Sequence, residues 1–204
     1  MFSDKQLHIL TAVQQLINEK GLVFTSVREI AKQANINVSM ISYYFGSKDE
    51  MLEALFQYHI QKSKDNFLSK LYQISPELSA KIKMNILIEE FSQSIIQAKS
   101  FSDIVNQNYQ IKKKIEPDLE EFHRVLIKEM TIVIEQGVEE GIFELKSEPA
   151  MIIANIIGTL FFIIRNSYYS ELVWNLKLQE NQAEIIEKVT AEIKFMIFSM
   201  LEKK

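Results

Sequence analysis

The chain has 204 residues, with 47% hydrophobic and 25% charged side chains, a globular composition that excludes a disordered chain. Five glycines and three prolines are too few for the tight turns of a sandwich or barrel. The absence of cysteine excludes disulfides, thiolate metal sites and cysteine nucleophiles. A net charge of −4 argues against general polyanion binding, so any contact with nucleic acid must come from a local patch.

The opening Met-Phe-Ser-Asp-Lys lacks the basic and apolar regions of a signal peptide. The most apolar run, Met151 to Ile164, is interrupted by Asn155, Gly158 and Thr159 and is short for a bilayer span, so a soluble, cytoplasmic protein is expected. Pro76, Pro117 and Pro149 sit where helices can begin, because a first-turn proline lacks only a donor that would be unpaired anyway. Gly21 and Gly141 read as helix stops, and Gly46 as a break. Helices are therefore expected at 3–20, 26–33, 37–44, 47–72, 76–98, 101–114, 117–140, 149–170 and 182–202. Apolar stripes run along the fourth (Phe56, Ile60, Phe67, Leu71) and the last (Ile186, Val189, Ile193, Met196, Met200). The fold class is all-α, with about nine helices: a small head of three short helices and a larger helical body.

The head reads as a helix-turn-helix. Ser26 and Glu29 form a capping-box pattern that opens one short helix, a turn follows at Ala34-Asn35-Ile36, and Asn37 is an N-cap for the next. Ser47 and Glu50 restart the chain as the long fourth helix. Along 38–45, helical geometry turns Ile41 and Phe45 inward with Val38 beside them, and Ser39, Met40 and Tyr43 outward, flanked by Ser42 and Tyr44. That uncharged outward face suits a DNA groove: serine can bond base edges, and Met40 or Tyr43 can touch thymine methyls. Lys48, in the first turn of the fourth helix, can share a phosphate with free backbone N–H groups. The expected DNA-contacting residues are Thr25, Ser26, Asn37, Ser39, Met40, Ser42, Tyr43, Tyr44 and Lys48.

Residues 9–52 resemble the N-terminal domain of the TetR family of bacterial transcriptional regulators. The resemblance rests on Thr25-Ser26-Val27-Arg28-Glu29-Ile30-Ala31, on Ala34-Asn35-Ile36-Asn37, and on Ile41-Ser42-Tyr43-Tyr44-Phe45-Gly46-Ser47-Lys48-Asp49-Glu50-Met51-Leu52. Asn35 stands where the family usually has glycine, and Ser42 replaces a frequent aromatic. Through residue 50 the head is electrically neutral: Lys5, Lys20, Arg28, Lys32 and Lys48 are balanced by Asp4, Glu19, Glu29, Asp49 and Glu50. The resemblance implies a DNA-binding domain at 1–47 and an effector-binding, dimerising domain at 48–204. It further implies double-stranded DNA with a palindromic operator, a small-molecule effector and a second copy of the chain as partners, and no cofactor or metal.

Helical bundles hold ligands in apolar cavities between facing helices, which nominates Phe91, Ile95, Tyr109, Phe122, Leu126, Asn155, Thr159 and Phe162, with Asn155 and Thr159 as polar anchors. The helix at 149–170 is apolar nearly all round, and the last helix carries surplus apolar surface, so the two are expected to pair with their symmetry mates. The expected dimer residues are Ile153, Ile157, Gly158, Phe161, Ile193, Ile197 and Phe198. Lys112-Lys113-Lys114 reads as a solvated helix face. His8, His59 and His123 are scattered, no catalytic or phosphate-binding motif is present, and an enzyme is not expected. The expected function is a repressor released from its operator by an apolar or amphipathic effector. The alternative is a regulator of the same fold whose body binds a protein partner.

Overall fold

A computed structural model describes residues 2–22, 24–97 and 109–203. Among these residues lie nine helices: α1 (Asp4–Lys20), α2 (Val27–Gln33), α3 (Val38–Phe45), α4 (Lys48–Gln73), α5 (Ala80–Gln97), α6 (Tyr109–Glu139), α7 (Pro149–Arg165), α8 (Ser167–Trp174) and α9 (Gln182–Leu201). An isolated bridge between Phe143 and Glu202 is the one extended pairing among the described residues. The chain is all-α, as expected. No single helix among the described residues is long and apolar enough to cross a membrane.

The chain divides into two compact units, Met1–Lys62 with Ser100–Glu120, and Ser63–Lys99 with Glu121–Lys204, rather than at residue 47. The first unit buries Ile9, Val13 and Ile17 of α1 against Ile30, Ile41, Met51, Leu55 and Phe56, and adds Ile111 and Ile115 from α6. The second has one core in which α5, α6, α7 and α9 contribute Met84, Ile88, Leu126, Ile134, Ile152, Leu160, Val189 and Ile197.

Local signals explain the start of the chain. Ser3 with Gln6 and Ser26 with Glu29 both close as full capping boxes, α1 stops at Gly21 with φ 84°, and Pro149 opens α7. Elsewhere the helices differ from the expected boundaries. The segment at 101–108 lies outside the described residues, and α6 runs without a break through Pro117, where a new helix was expected. An interior proline costs about 3 kcal/mol. Here it is outweighed by burial on either side of it, Ile111 and Ile115 before, Leu126 and Met130 after. Pro76 does not open α5 either. Residues 75–79 form a turn, and α5 starts at Ala80, whose N–H donates to the Glu140 carboxylate at 3.0 Å. The expected helix at 149–170 is two: α7 ends at Asn166, whose side-chain amide donates to the Phe162 carbonyl at 2.8 Å, and α8 leaves at 92°.

The seam of α9 also differs by one position. Ile185, Val189, Ile193, Ile197 and Leu201 are buried at strict i, i+4 spacing, leaving Ile186, Met196 and Met200 at its edge.

Gly137 is the tightest point of this core. After α6 the chain folds back so that the Phe143 N–H donates to the Gly137 carbonyl at 2.9 Å and the Phe143 ring, 2% exposed, lies on the glycine. A Cβ on residue 137 would stand 2.7 Å from Cγ of that ring. Alanine is the better helix former by about 1 kcal/mol, yet Gly137→Ala is expected to destabilise the protein by about 1–3 kcal/mol through overpacking. Chemical denaturation checks the sign; a stabilised variant would contradict the packing.

Candidate nucleic-acid interface

α3 is fixed at both ends. Asn37 Oδ1 accepts the Ser39 N–H at 3.0 Å and the Ser39 hydroxyl at 2.9 Å, and Gly46, φ 83°, ends the helix by donating its N–H to the Ser42 carbonyl at 2.9 Å. The turn before it passes through Asn35 at φ 51°, a left-handed conformation asparagine tolerates, and His8 Nε2 lies 2.8 Å from the neighbouring Ala34 carbonyl oxygen. Ile41 is the one fully buried side chain of the helix. Tyr43 projects with 82% of its surface exposed, and Ser39 and Ser42 are exposed beside it. Met40 and Tyr44 are half-buried, and the Tyr44 ring meets that of Tyr43 edge-on at 5.1 Å. Val38, expected inward, is the first residue of α3 and is 41% exposed. Its helical angle alone could not reveal that.

Thr25 departs from the expected contact set. It is 1% exposed, its hydroxyl donates to the Gly21 carbonyl at 2.8 Å, and its own carbonyl accepts from Lys48 Nζ at 2.5 Å. Its side chain is a fastener of the α1–α2 loop, with no hydroxyl left at the surface. Ser26 stays exposed as the cap of α2, its hydroxyl donating to Glu29 at 2.7 Å. The ion pair and hydrogen bond from Lys20, followed by the bonds from Ser26, hold the Glu29 carboxyl down to about 2. Lys48 is the first residue of α4 and its ammonium is held on the Thr25 carbonyl, while Ser47 Oγ accepts the Glu50 N–H at 3.1 Å and donates to the Glu50 carboxylate at 2.7 Å. On α4, His59 Nε2 lies 2.6 Å from Gln14 Oε1, tying α4 to α1, and burial holds the imidazole pKa below its usual value. Lys114 pairs with Glu53 at 2.6 Å, and Lys112 and Lys113 are exposed.

In the second unit, Phe91 and Leu126 line an enclosed apolar space together with Phe67, Leu87, Ile88, Met130, Ile153 and Ile156. Its volume is about 10 Å³, room for one water. Ile95 and Phe122 lie against the same core without lining that space, and the side chain of Tyr109 lies outside the described residues. The three candidates from α7 point elsewhere. Asn155 Nδ2 is 3.9 Å from the Met200 sulfur, Phe162 is 47% exposed against Tyr169, and Thr159 lines an open groove of about 460 Å³ with Glu192, Phe195, Met196 and Met200 of α9. The expected dimer set divides similarly. Ile153, Ile193 and Ile197 are buried in the core of their own chain, because the α9 seam and the α7 inner face already pair there. Ile157, Phe161 and Phe198 are half-buried, Gly158 is open to solvent, and Phe195, 74% exposed, is the large apolar side chain that α9 leaves uncovered.

Residues 9–55 match the model of the bacterial regulatory proteins of the tetR family. The match lies in the head, over 47 of the 204 residues. A probable HTH-type transcriptional regulator from Bacillus subtilis, YttP, is 51% identical over 47 residues, which are 23% of this chain and 23% of that protein. The HTH-type transcriptional regulator BetI of Escherichia coli is 27% identical over 88 residues, 43% of this chain and 45% of its own. The chain thus spans less than half the length of these curated relatives. The fold extends the likeness to the whole chain. The fatty acid degradation regulator FadR of Bacillus halodurans superposes with a TM-score of 0.70 at 20% identity, covering 97% of this chain and 96% of that one. The FadR of Bacillus subtilis, solved in complex with stearoyl-CoA, superposes with a TM-score of 0.66 at 18% identity, covering 95% and 98%. The same order of helices therefore runs over nearly the whole length of other solved proteins.

Proposed function

We propose that the protein is a transcriptional regulator, a repressor that binds a palindromic operator as a homodimer and leaves it when an apolar or amphipathic small molecule enters the body. The capped, outward-facing and uncharged α3, within a head that matches the TetR family over residues 9–55, carries this reading. A helix of this kind enters the major groove, and its symmetry mate about 34–36 Å away reads the second half-site. Lys48, at the start of α4, supplies the phosphate anchor. The relatives are regulators, which favours this reading over an enzyme.

The effector reading rests on the apolar space lined by Phe67, Phe91, Leu126 and Met130, and draws on the stearoyl-CoA held by a neighbour of the same fold. Small-molecule sites run to about 300 Å³ or more. The closed space therefore has to open, and a ligand that selects the open form shifts the population of the whole protein. For the dimer, the groove between α7 and α9, with Phe195 on its rim, presents an apolar surface to a second copy. The exposed Tyr168, Leu172 and Val173 of α8 favour the second reading, a body that binds a protein partner.

Four outcomes are expected. On an operator isolated by selection, Tyr43→Ala weakens specific binding by about 1–3 kcal/mol. Lys48→Ala weakens binding across sequences and makes the salt slope shallower by about one, measured by fluorescence anisotropy. No effect from either substitution in a folded protein would remove the interface. A long-chain acyl compound found by thermal shift to stabilise the protein lowers operator affinity, and operator DNA weakens that compound's binding by the same factor. A stabilising compound that leaves DNA binding unchanged would contradict the coupling. Light scattering at micromolar concentration gives a dimer for the native chain and a folded monomer for Phe195→Glu. A monomeric native chain that binds a palindrome with full affinity would overturn the dimer.

A further inference from the structure

The outward face of α3 lacks the side chains that make two-point contacts with bases. In the major groove, arginine or lysine pairs with guanine, asparagine or glutamine with adenine, and aspartate or glutamate accepts from cytosine. Residues 38–45 contain none of these. Asn37, at the helix start, has its side-chain oxygen held by both the N–H and the hydroxyl of Ser39, so it cannot offer the paired donor and acceptor that adenine needs. The same bond spends the Ser39 proton and leaves that oxygen as an acceptor. What remains at the surface is largely apolar: the exposed ring of Tyr43, the part of the half-buried Met40 thioether that reaches solvent, both about 100° or less from Ser39 around the helix, and Val38 in the first turn. The Tyr43 ring is braced edge-on by Tyr44, which restricts where its face can point.

We infer that this protein reads its operator through thymine methyl groups packed on Met40 and Tyr43, with Ser39 and Ser42 as single-point hydrogen-bonding neighbours. The inference rests on the regulator reading above and specifies the chemistry of the same surface. A methyl-reading helix selects A·T pairs by the C5-methyl that only thymine carries, and distinguishes the two orientations of the pair because that methyl sits on one strand. Neutrality of the head fits this mode, since little of the discrimination then depends on charge.

The test starts from selection of the full-length native protein on random double-stranded DNA, followed by replacement of each enriched thymine with uracil, which removes the methyl and nothing else. The selected half-site is expected to contain thymines at which uracil weakens binding about fourfold per methyl lost, the value of one buried carbon group. At the thymine facing Met40, the uracil penalty disappears in Met40→Ala, whose folding circular dichroism confirms, while the penalty at the Tyr43 thymine persists. An enriched site that binds equally well with uracil throughout, or one whose contacted positions are invariant G·C pairs, overturns the inference and leaves the regulator reading standing. Failure to enrich any sequence removes both.

Discussion

An isolated eight-residue helix is not stable in water, because nucleating it fixes several residues for a few hydrogen bonds. α3 buries one side chain fully, Ile41, and so cannot hold itself in place by packing. Its position depends on what surrounds it. Asn37 closes the first turn, Gly46 ends the last, the left-handed Asn35 sets the angle to α2, and Ser47 with Glu50 restarts the chain immediately afterwards. The rest of the first unit supports those fixtures. The wide apolar face of α1, from Ile9 to Ile17, packs against α2, which in turn packs against α3. Lys48 secures the start of α4 to the Thr25 carbonyl that precedes α2. The result is a surface held from behind, with the Tyr43 ring and Ser42 exposed on it.

This division explains what the sequence made legible. The head is specified by neighbours in the chain: Ser26 and Glu29 are three residues apart, as are Ser47 and Glu50, and Asn37 caps a helix whose next residues are already helical. Such signals can be read without tertiary information. The body is specified by distant groups. α5 starts where Glu140, sixty residues away, accepts the Ala80 N–H. α6 continues through Pro117 because both its ends find cores to enter. α7 stops at Asn166, which a run of apolar residues from Met151 to Ile164 conceals. Among the described residues one expected break is absent at Pro117 and one unexpected break appears at Asn166.

Periodicity likewise fixed the presence of a stripe on α9 better than its partner. Ile193 and Ile197 have the same chemistry whether they face α5 and α7 of their own chain or a second copy, and hydrophobicity does not carry an address. Thr25 illustrates the converse. A small hydroxyl residue beside a helix-turn-helix suits a phosphate contact, but here the hydroxyl is bonded to the Gly21 carbonyl and the side chain is buried. Asn155 and Thr159 are polar residues within an apolar helix, and they mark the edge of the α7–α9 groove rather than the lining of the closed space.

The closed space sets the final constraint on function. Its lining is entirely apolar, and a core packed at the density of an organic crystal does not admit a ligand without moving whole elements. Phe67 is among the residues that would have to yield, and it belongs to α4, the same helix whose first residue is Lys48. A helix is stiff over 26 residues, because bending it sharply requires breaking its own hydrogen bonds. Displacing Phe67 therefore tilts or shifts α4 more readily than it bends it. Within the second unit, the closed core is therefore what any apolar ligand would have to work against.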